Sequence, residues 1–166
     1  MMDIDWSKQH CGIHRGTIGH VCEHMPDVFD MIANTFPMQE KLFQFTWDVK
    51  VHMLMPDQYP CIPNWHYDNV PRDQDGKQDW SLIKDLPMYL WVSGDPMTEF
   101  KEGEQPKPKE WFKFTQKDLH RGTKSDKHCW RGFIRAAHKD ILPPNDSDKV
   151  LRRHTQVYLD ANNFTW

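Results

Sequence analysis

The sequence predicts a mainly-β protein, a sandwich or barrel preceded by one N-terminal helical element. Three observations carry this. Only one stretch, near the N-terminus, has apolar residues at helical spacing. Everything from Leu42 onward runs in short segments that alternate with period two or are continuously apolar. Proline- and glycine-containing turns separate those segments throughout. The length of 166 residues suits one domain, read as an N-terminal arm and helix over 1–40 and a β core over 42–160.

Residues 1–24 are polar and show no period. Pro26 opens MPDVFDMIANTF, where proline fits a first helical turn and Asp27 faces the positive end of the helix dipole. Val28, Met31, Ile32 and Phe36 recur at helical spacing, so a helix is expected over 26–36, ended by Pro37. From Leu42 the period becomes two. Phe43, Phe45, Trp47, Val49, Val51 and Met53 alternate with Gln44, Thr46, Asp48, Lys50 and His52, the pattern of a long half-buried strand. Further strands are expected at 86–92, within GDPMTEF, at 111–115, leading into His120, at 131–138 and at 154–160. The segments 69–79 and 101–110 read as polar surface loops that frame a pocket mouth, and 143–148 as a turn.

Composition narrows the function. Twenty-one Lys and Arg stand against 24 Asp and Glu, a formal net charge of −3, which disfavours duplex nucleic acid as a partner. Mean hydropathy is low at −0.82, yet eight Trp, nine Phe and four Tyr supply the apolar area a core needs. No apolar run reaches membrane-spanning length, and the first residues are acidic where a secretory leader is basic and then apolar. A cytoplasmic chain with no membrane association is the expectation, its scattered cysteines held as thiols. Ten histidines are the unusual count.

Some of those histidines form an ordered constellation. His66 and Asp68 stand two apart, so on a strand they project to one face. His120 follows 54 residues later at the end of another expected strand. Two histidines and one carboxylate with open positions form the facial triad of non-haem iron sites. Arg131 lies eleven residues beyond His120, placed to grip a carboxylate bidentately, and Arg135 shares its face on an extended strand.

In these residues the chain resembles the iron(II)- and 2-oxoglutarate-dependent dioxygenases, and most closely their phytanoyl-CoA hydroxylase-like branch. The matching pieces are His66-Tyr67-Asp68, His120-Arg121-Gly122-Thr123-Lys124-Ser125 and the run WRGFIR at 130–135. The resemblance implies a double-stranded β-helix, that is, a jelly-roll or cupin-like barrel. It implies Fe(II) held by His66, Asp68 and His120, and 2-oxoglutarate as co-substrate with its far carboxylate on Arg131. It implies dioxygen as the oxidant and hydroxylation of a small molecule or side chain, with release of succinate and CO2. Arg135 matches a position where some relatives contact substrate. Phe133 stands where the family often has Ser. Trp65, Trp91, Trp111 and Trp130 are candidates for an apolar wall around the site.

Other readings compete with this one. A cupin-like metal-binding barrel with different chemistry shares the triad but does not need Arg131 inside. A non-enzymatic interaction module needs neither. His52, His128, His138 and His154 rival His120 as third ligand, but only His120 leaves Arg131 at the family spacing. Cys11, His14, His20, Cys22 and His24 crowd the N-terminal arm with zinc-ligand chemistry but match no finger spacing. Oligomeric state and substrate identity are open at this stage.

Overall fold

The computed structural model describes residues 3–9, 12–145, 151–153 and 156–159. In chain order the elements are β1 (Gly12–Gly16), α1 (Ile18–His24), α2 (Pro26–Thr35), β2 (Phe45–Leu54), β3 (Met88–Val92), β4 (Thr98–Phe100), β5 (Phe112–Phe114), β6 (His120–Gly122), β7 (Cys129–His138) and β8 (Leu151–Arg153). Six strands form one sheet in the order β5-β3-β7-β2-β1-β8, and β4 and β6 form a second, smaller sheet. Every pairing is antiparallel. The mainly-β expectation holds, and the arrangement is of the β-sandwich kind.

The expected helix is α2. Pro26 is its first residue, Asp27 lies in its first turn, and Val28, Met31 and Ile32 are buried. Phe36 ends it and meets Phe45, Trp47, Tyr89 and Trp111 edge-on, with ring centroids 4.9–5.1 Å apart. This aromatic cluster and the helices cover one face of the large sheet through Trp47, Val49, Tyr89, Trp91, Ile134 and Ala136. Trp91 and Trp111 therefore belong to the helix-side core, and Trp65 and Trp130 are 38% and 45% exposed. None of the four lines the cavity holding the triad.

Two N-terminal elements depart from expectation. Residues 12–16 form β1 and 18–24 form α1, where no period is visible. Thr17 caps α1 through a capping box in which the His20 ring accepts from the Thr17 backbone, a local signal that needs no apolar repeat. The last expected strand is also displaced. β8 occupies 151–153, and of the segment 154–160 the described part contributes only a bridge from Tyr158 to Tyr59. Half of the expected turn at 143–148, residues 146–148, lies outside the described residues.

The opposite face of the large sheet faces the small one. Met88, Leu90, Val92, Phe114 and Ala137 pack there with Phe100 of β4. β2 and β7 are in register over their full lengths, setting Asp48 opposite Arg135, Lys50 opposite Phe133 and His52 opposite Arg131. So the polar half of the β2 alternation is not a solvent face. Thr46, Asp48 and His52 are all at most 1% exposed. No helix among the described residues is long and apolar enough to cross a membrane.

Candidate metal centre

His66, Asp68 and His120 converge, and among the described residues they are the one group of this kind that could hold a metal ion. Strand alternation is not what brings them together. His66 makes a single bridge to His120, the first residue of β6, in which each backbone N–H donates to the other's carbonyl at 2.9 and 3.0 Å. Side chains of such a pair share one side of the ladder, and the two rings lie 4.5 Å apart. Asp68 lies in the bend that follows, just before Asn69 with φ +57°, and the bend swings its carboxylate under both rings.

The hydrogen bonds around the triad aim its lone pairs inward. His66 Nδ1 lies 2.8 Å from the Asn64 carbonyl and His120 Nδ1 2.9 Å from the Asp118 carbonyl. A carbonyl accepts only, so each Nδ1 carries a proton and each ring turns its Nε2 toward Asp68. The two Nε2 atoms stand 3.7 and 3.6 Å from Asp68 Oδ1. That is too long for a good hydrogen bond. It is close to the spacing of about 3.0–3.4 Å between ligands that share an ion at about 2.1 Å. The three side chains could share one metal ion.

Behind the triad sits a buried ion network. Arg135 Nη1 donates to Asp68 Oδ2 at 2.8 Å, leaving Oδ1 to face the histidines. Its Nη2 and Nε donate to Asp48 Oδ2 at 2.7 and 3.3 Å. Asp48 Oδ1 accepts from the Arg15 backbone N–H at 2.9 Å and lies 3.3 Å from His14 Nδ1. Arg15 has φ +50° at the irregularity between Ile13 and Gly16 in the β1–β2 pairing, which turns that N–H toward Asp48. Burial alone would raise the Asp68 pKa, but the charge of Arg135, helped by His120 and His66, holds it far below the usual carboxylate range. Burial would likewise lower the His120 pKa, and the adjacent Asp68 carboxylate more than offsets this and raises it. Arg135 was the expected substrate contact. The structure instead spends its fork on two carboxylates, which makes it a positioning residue for Asp68.

Arg131 also faces the space between the sheets, 2% exposed. Its Nη2 donates to the Pro96 carbonyl, its Nη1 lies 3.5 Å from His52 Nδ1, and its Nε has no partner. Burial pulls its pKa down to about 10. No carboxylate lies within ion-pair distance of it among the described residues, so this guanidinium is a buried charge lacking a counter-ion. It does not line the triad cavity; Phe133, over whose ring it sits at 5.3 Å, does.

The cavity holds about 190 Å³, bounded by the triad, Arg135, Leu90, Phe114, Phe133, Cys61, Ile62, Thr98, Lys50 and Tyr158. Neither loop 69–79 nor loop 101–110 contributes to it. Lys50 is the residue that sequence reasoning missed. Its signal was the polar half of the β2 alternation, in which Asp48 and His52 are buried and Lys50 is half-buried. Gly122, matched in the resemblance, has a structural reason here: a Cβ would stand 2.5 Å from the Cys61 carbonyl oxygen.

The N-terminal histidine and cysteine cluster does not assemble. His14 serves Asp48, His20 caps α1 and His24 lies 3.8 Å from Glu23, while Cys22 is a free, exposed thiol and Cys11 lies outside the described residues. Of the rival third ligands, His52 pairs with Arg131 and His138 faces Asp140 at 3.7 Å. His128 is exposed and His154 lies outside the described residues. Compared with models of protein families, with curated proteins and with solved structures, the chain matches none.

Proposed function

We propose that this chain is an Fe(II)- and 2-oxoglutarate-dependent oxygenase, with His66, Asp68 and His120 as the iron ligands and a double-stranded β-helix as its fold. The observation that carries the reading is the triad's geometry: two Nε2 atoms and one carboxylate oxygen converge beside a cavity, with no fourth protein ligand among the described residues. Metals held this way keep positions open for other ligands. The buried Arg131, lacking a counter-ion, supports an anionic co-substrate nearby. When bound, the iron and 2-oxoglutarate supply the oxidant for the overall conversion of R–H, O2 and 2-oxoglutarate to R–OH, succinate and CO2.

The chain's own residues do the remaining work. The Asn64 and Asp118 carbonyls fix the ring tautomers. Arg135 fixes the Asp68 carboxylate. Arg131 supplies a positive charge for the far carboxylate of 2-oxoglutarate, and Leu90, Phe114 and Phe133 exclude water from the reacting carbon.

Aerobic incubation with Fe(II) and 2-oxoglutarate tests this. Slow succinate release is expected even without substrate. His66→Ala abolishes it, and Arg131→Ala raises the 2-oxoglutarate concentration required. No metal binding, or binding indifferent to loss of the triad, sinks the reading. The cupin-like alternative is favoured by one observation, that Phe133 rather than Arg131 lines the cavity. Triad-dependent metal binding without succinate release would select it.

A further inference from the structure

We infer that Lys50 is a second anion site in the triad cavity, and that the substrate of the oxygenase proposed above is a small organic acid whose carboxylate it holds. This rests on that proposal for the word substrate, but the site itself stands on geometry.

Lys50 lies mid-strand in β2, between Asp48 and His52 on the inner face, and lines the same cavity as the triad. Its ammonium sits 5.3 Å from the centre of the Phe133 ring. That ring covers one side of the charge. Among the described residues Lys50 donates no hydrogen bond and has no carboxylate within ion-pair distance. Lys50 is half-buried, and a cation partly withdrawn from water with no carboxylate at ion-pair distance is stabilised by an anion that reaches it. Burial, followed by the charge of Arg135, holds the Lys50 pKa below its ordinary value, and the charges of Asp48 and Asp68 offset this only in part.

Charge counting separates the two anion sites. Facing the space between the sheets are Lys50, Arg131 and Arg135 against Asp48 and Asp68, a balance of +1. A divalent cation at the triad makes it +3, and 2-oxoglutarate as a dianion returns it to +1. Arg135 is committed to both carboxylates, and the far carboxylate of 2-oxoglutarate answers Arg131. The charge left over is that of Lys50. Beyond it the wall is apolar, made by Leu90, Phe114, Phe133 and Ile62. A carboxylate followed by a short aliphatic chain matches that lining, with the chain passing toward the triad.

The test uses the full chain loaded with Mn(II), which broadens the proton resonances of molecules bound near it. The probe is hexanoate and the control its neutral isostere hexanamide, each with and without 2-oxoglutarate. Hexanoate is expected to broaden at concentrations lower by about tenfold or more, the worth of a charge-assisted hydrogen bond. Lys50→Met and Lys50→Gln both bring hexanoate to the level of hexanamide, and Lys50→Arg retains the difference. Two substitutions guard against one failing to fold. Equal broadening by acid and amide overturns the inference, as does a preference that survives loss of Lys50. So does loss of 2-oxoglutarate binding in Lys50→Met with retention in Arg131→Met, which would give Lys50 to the co-substrate. If 2-oxoglutarate fails to bind at all, the oxygenase reading falls while the Lys50-dependent preference, measured with Mn(II) alone, still decides the anion site.

Discussion

At the scale of single residues, Arg135 is the keystone of the site. One guanidinium joins Asp48, 2% exposed at its side chain, to the candidate ligand Asp68. Removing one partner of such a buried network leaves charge uncompensated, typically at about 3–5 kcal/mol. Arg135→Met should therefore show a large fall in the urea midpoint of the metal-free protein. Two carboxylates then repel without a cation between them, so a divalent ion should restore more stability to the variant than to the parent. An unchanged midpoint would mean the network is not formed. The triad makes the complementary prediction. A ligand bound only by the folded state raises the melting temperature in proportion to the logarithm of its concentration. Mn(II) should raise the melting temperature of the parent, and this rise should vanish in His66→Ala and Asp68→Ala.

At the scale of elements, the central β7 strand is shaped by Gly132. A Cβ there would stand 2.1 Å from the Trp6 ring, which lies flat over the strand and packs toward Trp91 at 6.2 Å between ring centroids. This contact fastens the N-terminal segment to the sheet. Overfilling a packed site costs about 1–3 kcal/mol, so Gly132→Ala should lower stability by that order. Combining it with Trp6→Ala should cost less than the two changes added separately, because the clash leaves with the ring. Strict additivity in a thermal or denaturant cycle would place Trp6 elsewhere. β2 carries the other lesson at this scale. Its apolar half was legible as core, and Phe45, Trp47, Val49 and Val51 are buried as expected, whereas Phe43, which precedes the strand, and Met53, near its end, are 65% and 45% exposed. Its polar half was legible as a set of residues sharing one face, but not as the lining of a cavity.

For the molecule as a whole, the buried polar layer between the sheets sets the response to acid. Burial, reinforced by Arg131 and Lys50, pushes His52 down to about 3. Between pH 6.5 and about 3 the unfolded chain binds a proton at this residue that the folded one refuses. Stability therefore falls as pH drops through that window, by up to about 1.4 kcal/mol per pH unit for one group. Asp48 and Asp68, both held well below the ordinary carboxylate value of 3.8, add a further loss once pH falls through and below that value. His52→Asn should flatten the upper part of the profile and leave the lower part. A profile unchanged by that substitution would locate the acid sensitivity outside this layer.

Periodicity and spacing by themselves determined the mainly-β class, the α2 helix, the long β2 and β7 strands and the order His66, Asp68, His120, Arg131, Arg135. These are readable because residues that share a face recur at intervals the backbone dictates. Short β1, capped α1 and the displaced β8 were not, since a few residues give no period to read. Only the tertiary structure decided what each face meets. The layer laid over the polar half of β2 buried Asp48 and His52 and set Lys50 in the wall of the triad cavity. The bend after His66, rather than strand alternation, delivered Asp68 to the histidines. The pairing of β2 with β7 set Arg135 beside Asp48, within reach of Asp68, and left Arg131 and Lys50 with no carboxylate at ion-pair distance among the described residues. The interval between residues is a property of the chain, whereas their partners depend on which strands the fold sets side by side.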